Sequence, residues 1–422
     1  MNLEYLNNWN PWWSTKEVPK AFKGISRKIN PEIFRTLKER EIIALTGIRR
    51  SGKTTIMYQM IDTLLKDHDK EQIFYVNLDD ELISKEGLEE IYNTYRQNKN
   101  PDKKAFIFLD EIQNIEEWEK FLKKHYDLRN PVKFIISGSS ASLLKGEYSK
   151  LLTGRNFTFT IFPLSFKEFL DFSQVKYEQL DTETKNKIIN KLHEYFEYGS
   201  FPEVYFKEKE LKKLLLRQYF DDIIYKDIVK RHNINAKKIT DLAIYLMTNT
   251  TNIFTIRKIK NFTGLSADSI TEYISYLEDS YLIITLTHFS YSLKETHQIP
   301  RKTYSSDSGI RNSVSFIFSQ DIGRLAENSV CVELKRRNQE IYYWKEKGEV
   351  DFVVKNQDNS LTAINVSFTD KIDEREILSL KEFQNKNKKT QNLILLTYNT
   401  DRDRDGIKFI PLWKWMISSS KP

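Results

Sequence analysis

A single cysteine, Cys331, stands among 422 residues. That excludes an internal disulfide framework and Cys-rich zinc sites, and it suits a reducing cytoplasm. No apolar stretch approaches the length of a membrane span. The N-terminus is polar and aromatic, without the basic-then-apolar pattern of a secretion signal. Internal repeats and low-complexity tracts are also missing. These absences lead us to expect a cytoplasmic protein with no membrane partner. Charge of one sign is scarce too: 66 Lys and Arg face 59 Asp and Glu, a net +7. So small a surplus permits nucleic-acid binding without demonstrating it. With 40% hydrophobic and 30% charged residues, the composition is that of a globular chain. The length exceeds one ordinary core, so three or four domains are expected.

The most informative stretch is residues 42–57, IIALTGIRRSGKTTIM. An apolar run leads into G-x-x-x-x-G-K-[ST], and helix-forming residues follow. Strand, glycine loop and helix in that order form a phosphate-binding loop. The glycines let successive N–H groups point inward at a phosphate chain, and the following helix adds the partial positive charge of its N-terminus. Gly47, Arg50, Ser51, Gly52, Lys53, Thr54 and Thr55 are therefore expected to bind ATP. Lys53 should reach the β- and γ-phosphates, and Thr54 should ligate Mg²⁺.

IFYVNLDD (73–80) reads as a second strand, followed by a helix near 86–97. AFIFLDEIQ (105–113) is an apolar strand that ends in Asp110-Glu111. Acids at a strand end are a weak signal alone, but about sixty residues beyond a phosphate loop they match a Walker B element. Asp110 is expected to hold Mg²⁺ through water and Glu111 to orient and polarise the attacking water. KFIISGSSASLL (133–144) is another buried strand. In ATPases with a catalytic glutamate, such a strand lies between the other two and brings a polar side chain near the γ-phosphate. Ser137 is the first candidate and Ser139 the second; a plain Ser/Gly turn is the alternative for either. Arg155 immediately precedes the last core strand. An arginine there completes a neighbour's site in some assemblies, or it is a surface or loop-anchoring residue.

The succession GIRRSGKTT, FIFLDEIQ, IISGSSASLL, LLTGR, FPLSFKEFL and YGSFPE (198–203) resembles prokaryotic AAA-type ATPases that carry a C-terminal domain of the DUF4143 type. The resemblance runs from about residue 20 to residue 417. It implies an ATPase with a five-stranded parallel core, then a helical lid, then a winged helix; it does not fix the cellular task.

The rest of the chain fits that order. Residues 1–35 form an aromatic N-terminal extension in which Trp9, Trp12 and Trp13 flank Pro11. They dock on the body of the protein, on a second subunit or over the adenine ring, the first being the plainest reading. The ATPase core is placed at 36–162 and the helical lid at 163–234. Residues 235–318 give helix, helix, helix and hairpin, the winged-helix order. The third helix carries Asp268, Glu272, Glu278 and Asp279, which argues against its entering a major groove. Lys258 and Lys260 on the second helix, and Arg301 and Lys302 on the wing, remain candidate phosphate contacts. Residues 319–422 resemble the PD-(D/E)xK restriction-endonuclease-like α/β fold, with Glu327 and Asp351 matching its carboxylates. The third strand departs: Asn365 and Ser367 stand where an acid and a lysine belong. The expectation is a nuclease-like fold with little or no nuclease activity, unless Lys355 or Lys371 replaces the missing lysine. The whole reads as an α/β, Mg²⁺-dependent ATPase, a nucleotide-driven switch acting on DNA. A protein-interaction switch and an ATP-regulated nuclease are the alternatives, and a homo-oligomer remains open.

Overall fold

The computed structural model describes residues 3–141, 151–177, 181–292, 299–315, 322–369 and 371–418. The chain forms two compact units, Met1–Ile161 and Phe162–Pro422.

In the first unit, five short apolar segments pair into a parallel sheet. They are β1 (Ile42–Thr46), β2 (Ile73–Asn77), β3 (Ala105–Asp110), β4 (Val132–Gly138) and β5 (Asn156–Thr160). Their order across the sheet is β2-β3-β4-β1-β5, and every pairing is parallel. β1 and β3 are buried along their whole length, as expected of strands covered by helices on both faces. The order seats β4 between the strand that enters the phosphate loop and the strand that ends in Asp110-Glu111, so the C-terminal ends of β1, β3 and β4 lie side by side.

β2 is an edge strand, and its outward backbone groups need partners. The N-terminal segment supplies them through side chains. Asn10 Nδ2 donates to the Tyr75 carbonyl (2.8 Å) and Asn10 Oδ1 accepts from the Tyr75 N–H (2.7 Å). The indole N–H groups of Trp12 and Trp13 both donate to the Ile73 carbonyl, at 3.0 and 2.9 Å. Trp12 is fully buried, and Trp13 stacks on Phe74 and Tyr95. This segment is thus part of the first core rather than an appendage, and its tryptophans are spent on the sheet edge.

In the second unit, the six strands β9 (Glu340–Lys345), β10 (Glu349–Lys355), β11 (Leu361–Ser367), β12 (Thr390–Thr397), β13 (Arg402–Arg404) and β14 (Ile407–Pro411) form a mixed sheet in the order β13-β14-β12-β11-β10-β9. Helix Glu374–Lys386 covers one face through Ile377, Leu380 and Phe383. The other face packs on helix Ile322–Arg336, on Leu412–Ile417, and on Phe166–Phe172 and Thr182–Tyr198. The last two helices, which the sequence reading set apart as a lid, share one apolar core with the C-terminal sheet; Cys331 is buried in it. Between them in the chain lie the helices Ala236–Thr248, Ile256–Thr263 and Ala267–Asp279 and a small antiparallel sheet. Its strands are β6 (Ile253–Phe254), β7 (Ile283–Leu286) and β8 (Arg301–Ser305), in the order β6-β8-β7.

The YGSFPE motif has a structural role here. Gly199 has φ 70° and ψ −157°, a conformation essentially restricted to glycine. Asp307 presses on it: a Cβ on Gly199 would stand 2.0 Å from Asp307 Oδ1. The same carboxylate accepts from the Ser200 N–H (2.8 Å) and caps helix Ser308–Val314 at the Ile310 N–H (3.0 Å). Gly199→Ala is expected to destabilise the second unit by about 1–3 kcal/mol or more, read as a lower denaturant midpoint for the intact chain.

Candidate functional site

The site residues converge at the C-terminal end of the parallel sheet. Helix Lys53–Leu64 starts directly behind Gly52, whose φ of 102° only a glycine holds without strain. Gly47 has φ 131°, and a Cβ there would lie 2.2 Å from the Ile161 carbonyl oxygen. Both glycines are therefore fixed by geometry. Lys53 is buried, and its Nζ donates to the Gly47 and Ile48 carbonyls at 2.9 and 3.2 Å. Its ammonium lies within the curl of the loop. Ser51 Oγ is buried there with no hydrogen-bond partner, and Arg27 Nη1 ties the Ser51 carbonyl at 3.0 Å. Arg50 takes φ 68° and is exposed, and Thr55 lies one residue along the helix.

Thr54 Oγ1 donates to Asp110 Oδ2 at 2.7 Å, and the Tyr75 hydroxyl donates to the same oxygen at 2.8 Å. Ser137 Oγ donates to Asp110 Oδ1 and accepts the Glu111 N–H at 3.1 Å. Ser137 thus spans both acids, while Ser139 meets the Glu111 carboxyl alone. Glu111 is in the left-handed region (φ 55°, ψ 49°), an uncommon conformation for a glutamate. Gln113 Nε2 holds its Oε2 at 2.5 Å and also donates to Ser139 Oγ at 3.3 Å.

The two adjacent carboxyls are pushed apart in acidity. Burial, with the neighbouring Glu111 charge, raises Asp110 above the usual carboxylate range, against the hydrogen bonds from Ser137, Thr54 and Tyr75. Burial also acts to raise Glu111, but Lys53 and Arg49 outweigh it and leave that carboxyl below its usual range. Of the two, Glu111 is the stronger acid and Asp110 the weaker.

These residues fit a nucleotide and a divalent cation. The loop offers a buried ammonium and an unsatisfied serine hydroxyl; the Thr54–Asp110 pair offers hard oxygen donors. Tyr75 and Gln113 were missed in the sequence. Each lies within a quoted stretch; Tyr75 meets Asp110 only through long-range placement, whereas Gln113 meets Glu111 two residues away because Glu111 takes a left-handed turn.

Arg155 stands elsewhere. Its carbonyl accepts from the Ile42 N–H (2.8 Å), at the start of β1, so it sits at the end of the sheet opposite the phosphate loop. Its side chain bonds Asp127 Oδ1 (3.0 Å) and the Leu151 carbonyl (3.3 Å). It contributes nothing to the site of its own chain.

The nuclease-like residues behave differently from expectation. Glu327 and Asp351 are brought together, joined by Glu349, but the cation among them is Lys302. This residue, expected to be a phosphate contact on an exposed hairpin, is 1% exposed. Its Nζ lies 2.8, 2.8 and 3.1 Å from Glu327, Glu349 and Asp351. Burial and the Asp351 charge push the Glu327 carboxyl up to about 8, against Lys302 and Tyr304. Burial alone would lower Lys302, but the three carboxylates hold it well above the usual lysine range. Asn365 is spent on scaffolding: it accepts from the Asp351 N–H (3.1 Å) and donates to Glu376 (2.8 Å). Ser367 is buried at the end of β11. Neither lysine considered as a substitute takes part. Lys355 pairs with Glu340 at 3.4 Å, and Lys371 is exposed. Arg301 is exposed beside Glu278 (3.9 Å), and Lys258 and Lys260 are exposed as well. Among the described residues, no group of three or more His, Cys, Asp or Glu is arranged to hold a metal ion, and no helix is long and apolar enough to cross a membrane.

The parallel sheet, the glycine loop and the acids at the end of β3 define an AAA-type P-loop ATPase fold. Residues 39–170 match the model of the AAA domain, 189–321 match a domain of unknown function, DUF8612, and 322–415 match another, DUF4143. The chain belongs to the family of AAA-domain proteins with a C-terminal DUF4143 domain, together with its relative MJ1544, an uncharacterised protein of Methanocaldococcus jannaschii. The two are 33% identical over 424 residues, covering 95% of this chain and 93% of the relative. An uncharacterised protein of Haemophilus influenzae is 28% identical, covering 89% of this chain and 94% of its own. Among solved structures, the Walker-type ATPase PABY2304 of Pyrococcus abyssi aligns with a TM-score of 0.44 and 9% identity. That alignment covers 68% of this chain and 95% of that one, a likeness too slight to bear on function.

Proposed function

We propose that the chain is a Mg²⁺-dependent ATPase whose nucleotide cycle drives a conformational switch. The observation that supports this most directly is the continuous bonding from the phosphate loop to the acids: Lys53 in the loop, Thr54 on Asp110, and Ser137 between Asp110 and Glu111. The loop amides, Ser51 and Lys53 bind the phosphate chain. Thr54 and Asp110 hold the cation, directly or through water. When bound, the cation offsets charge on the β- and γ-phosphate oxygens. Glu111, ionised, accepts a hydrogen bond from the attacking water and orients it; Gln113 and Ser139 set its side chain. Ser137 ties the two acids in register. Arg155 stands away from its own chain's nucleotide site and would bear on turnover only in trans, if copies of the chain meet.

The target we propose is DNA, engaged through residues 235–318 as a winged helix. Three helices with a β6-β8-β7 sheet follow that order, and Lys258 and Lys260 lie exposed on the second helix. A protein target is the second reading. It is favoured by the burial of Lys302, which removes one charge from the hairpin, and by Asp268 and Glu272 exposed on the third helix. Nuclease action forms no part of either reading. Steady-state ATP turnover with Mg²⁺, with and without single- and double-stranded DNA, separates the two. Several-fold stimulation that weakens with salt supports DNA. Turnover indifferent to DNA overturns that target and leaves the switch in search of a protein.

A further inference from the structure

Helix Ile256–Thr263 and the end of strand β9 line a shared cleft of about 610 Å³, within the size range of ligand-binding clefts. Its two sides are tied to each other. The Tyr343 N–H donates to the Thr287 carbonyl (3.1 Å) and the Phe289 N–H to the Tyr343 carbonyl (2.7 Å), so the segment after β7 runs along the edge strand β9. The Tyr343 hydroxyl also donates to the Pro300 carbonyl, just before β8. The cleft is therefore preformed. On the helix, Lys258 stands one turn before Phe262, on the same face. Phe262 is 61% exposed, and its ring centroid lies 4.8 Å from that of Tyr245, with the planes tilted by 32°. Tyr245 and Lys258 line the cleft, as do Asn252 and, from the other side, Lys345. Glu349 brings a carboxylate to the lining, but its oxygens are taken by Lys302 and Lys345, each at 2.8 Å. The Lys345 ammonium is half exposed and keeps further donors. Lys258 meets no carboxylate among the described residues.

We propose that this cleft binds an unpaired strand of DNA, its bases stacking on the Tyr245–Phe262 pair and its phosphates meeting Lys258 and Lys345. The inference rests on the reading of residues 235–318 as DNA-binding. It moves the contact from the third helix to the second, and from a duplex to a single strand. Exposed rings beside ammoniums are what such a strand needs, because each base has a face to stack and each link a charge to meet. A duplex keeps its base faces inside the stack, so it would engage the lysines and leave the rings unused. The third helix, with Asp268 and Glu272 exposed, would repel a duplex at the groove that a winged helix ordinarily enters. Lys345 belongs to the six-stranded sheet. The strand would thus lie across both modules, and the nuclease-like domain would hold DNA rather than cut it.

The test is fluorescence anisotropy of a labelled oligothymidylate on the full chain without ATP. The single strand should bind more tightly than the same strand paired with oligoadenylate. Phe262→Ala should weaken the single strand about 5- to 150-fold, the worth of one stacked base, and Phe262→Trp should keep its affinity. In Lys345→Gln, the fall of log affinity with log salt should be shallower by about 0.7, the share of one phosphate contact. Tighter binding of the duplex, or a single-strand affinity indifferent to both Phe262→Ala and Lys345→Gln, overturns the cleft and leaves DNA as the target. Thymidine monophosphate that competes at the strand's own affinity overturns the strand as the ligand. Binding of neither form of DNA overturns the DNA target itself, and the cleft with it.

Discussion

Glu111→Gln is expected to bind ATP with near-normal affinity and to turn it over about 10²–10⁴-fold more slowly, the range lost when a positioned general base is removed. The amide preserves the shape and keeps an oxygen for Gln113, but it cannot take up a proton. Lys53 and Arg49 hold the Glu111 carboxyl below its usual range, so the wild-type base stays ionised throughout the neutral range. Its share of the rate should be flat there and fall only under acid conditions. Lys53→Ala gives the complementary result: the loop loses its buried ammonium, and nucleotide binding itself is lost. Equilibrium binding of a fluorescent ATP analogue together with single-turnover hydrolysis distinguishes the two variants. Normal turnover by Glu111→Gln would remove Glu111 from the mechanism.

Trp12→Ala should lower the stability of the first unit by about 3–5 kcal/mol, the cost of emptying a fully buried tryptophan site. The cost is packing rather than hydrogen bonding, because Trp13 still donates to the Ile73 carbonyl. Asn10→Ala acts differently. It strips partners from both the N–H and the C=O of Tyr75, each worth about 1–3 kcal/mol when left unsatisfied. The transition to follow is the one that ATP raises, since a ligand stabilises the unit that binds it. Both variants should also slow turnover. Trp9 packs against the Tyr75 ring with centroids 6.1 Å apart, and the Tyr75 hydroxyl holds Asp110. A Trp12→Ala chain with an unmoved transition would show that the N-terminal segment is not part of this core.

The phosphate loop and Asp110-Glu111 could be read in the sequence because each is a local pattern with a strand on one side and a defined break on the other. Placing β4 between them needed only the resemblance to this fold. The remaining parts depend on pairings that no window of sequence contains. Tyr75 meets Asp110 across 35 positions and Asn10 meets Tyr75 across 65. Lys302 looked like an exposed hairpin cation because its carboxylates lie 25 to 49 residues further along. Lys355 and Lys371 lie in the C-terminal domain itself, whereas the lysine that meets these acids, Lys302, comes from β8. The helices from 166 to 198 could be read as helices but not assigned to a core. Their apolar faces fit any partner, and the C-terminal sheet that receives them is some two hundred residues away.

A parallel sheet with two bare edges can be extended without limit, each added strand offering the next a new ladder. Here Asn10, Trp12 and Trp13 occupy the β2 side with side chains, which present no ladder of their own. Among the described residues, neither end of the order β2-β3-β4-β1-β5 has a further strand neighbour, but only the β2 end is met by these side chains. Strand addition to this sheet therefore ends after one partner: two copies joined through β5 would each turn a closed flank outward, and a third would find no edge to join.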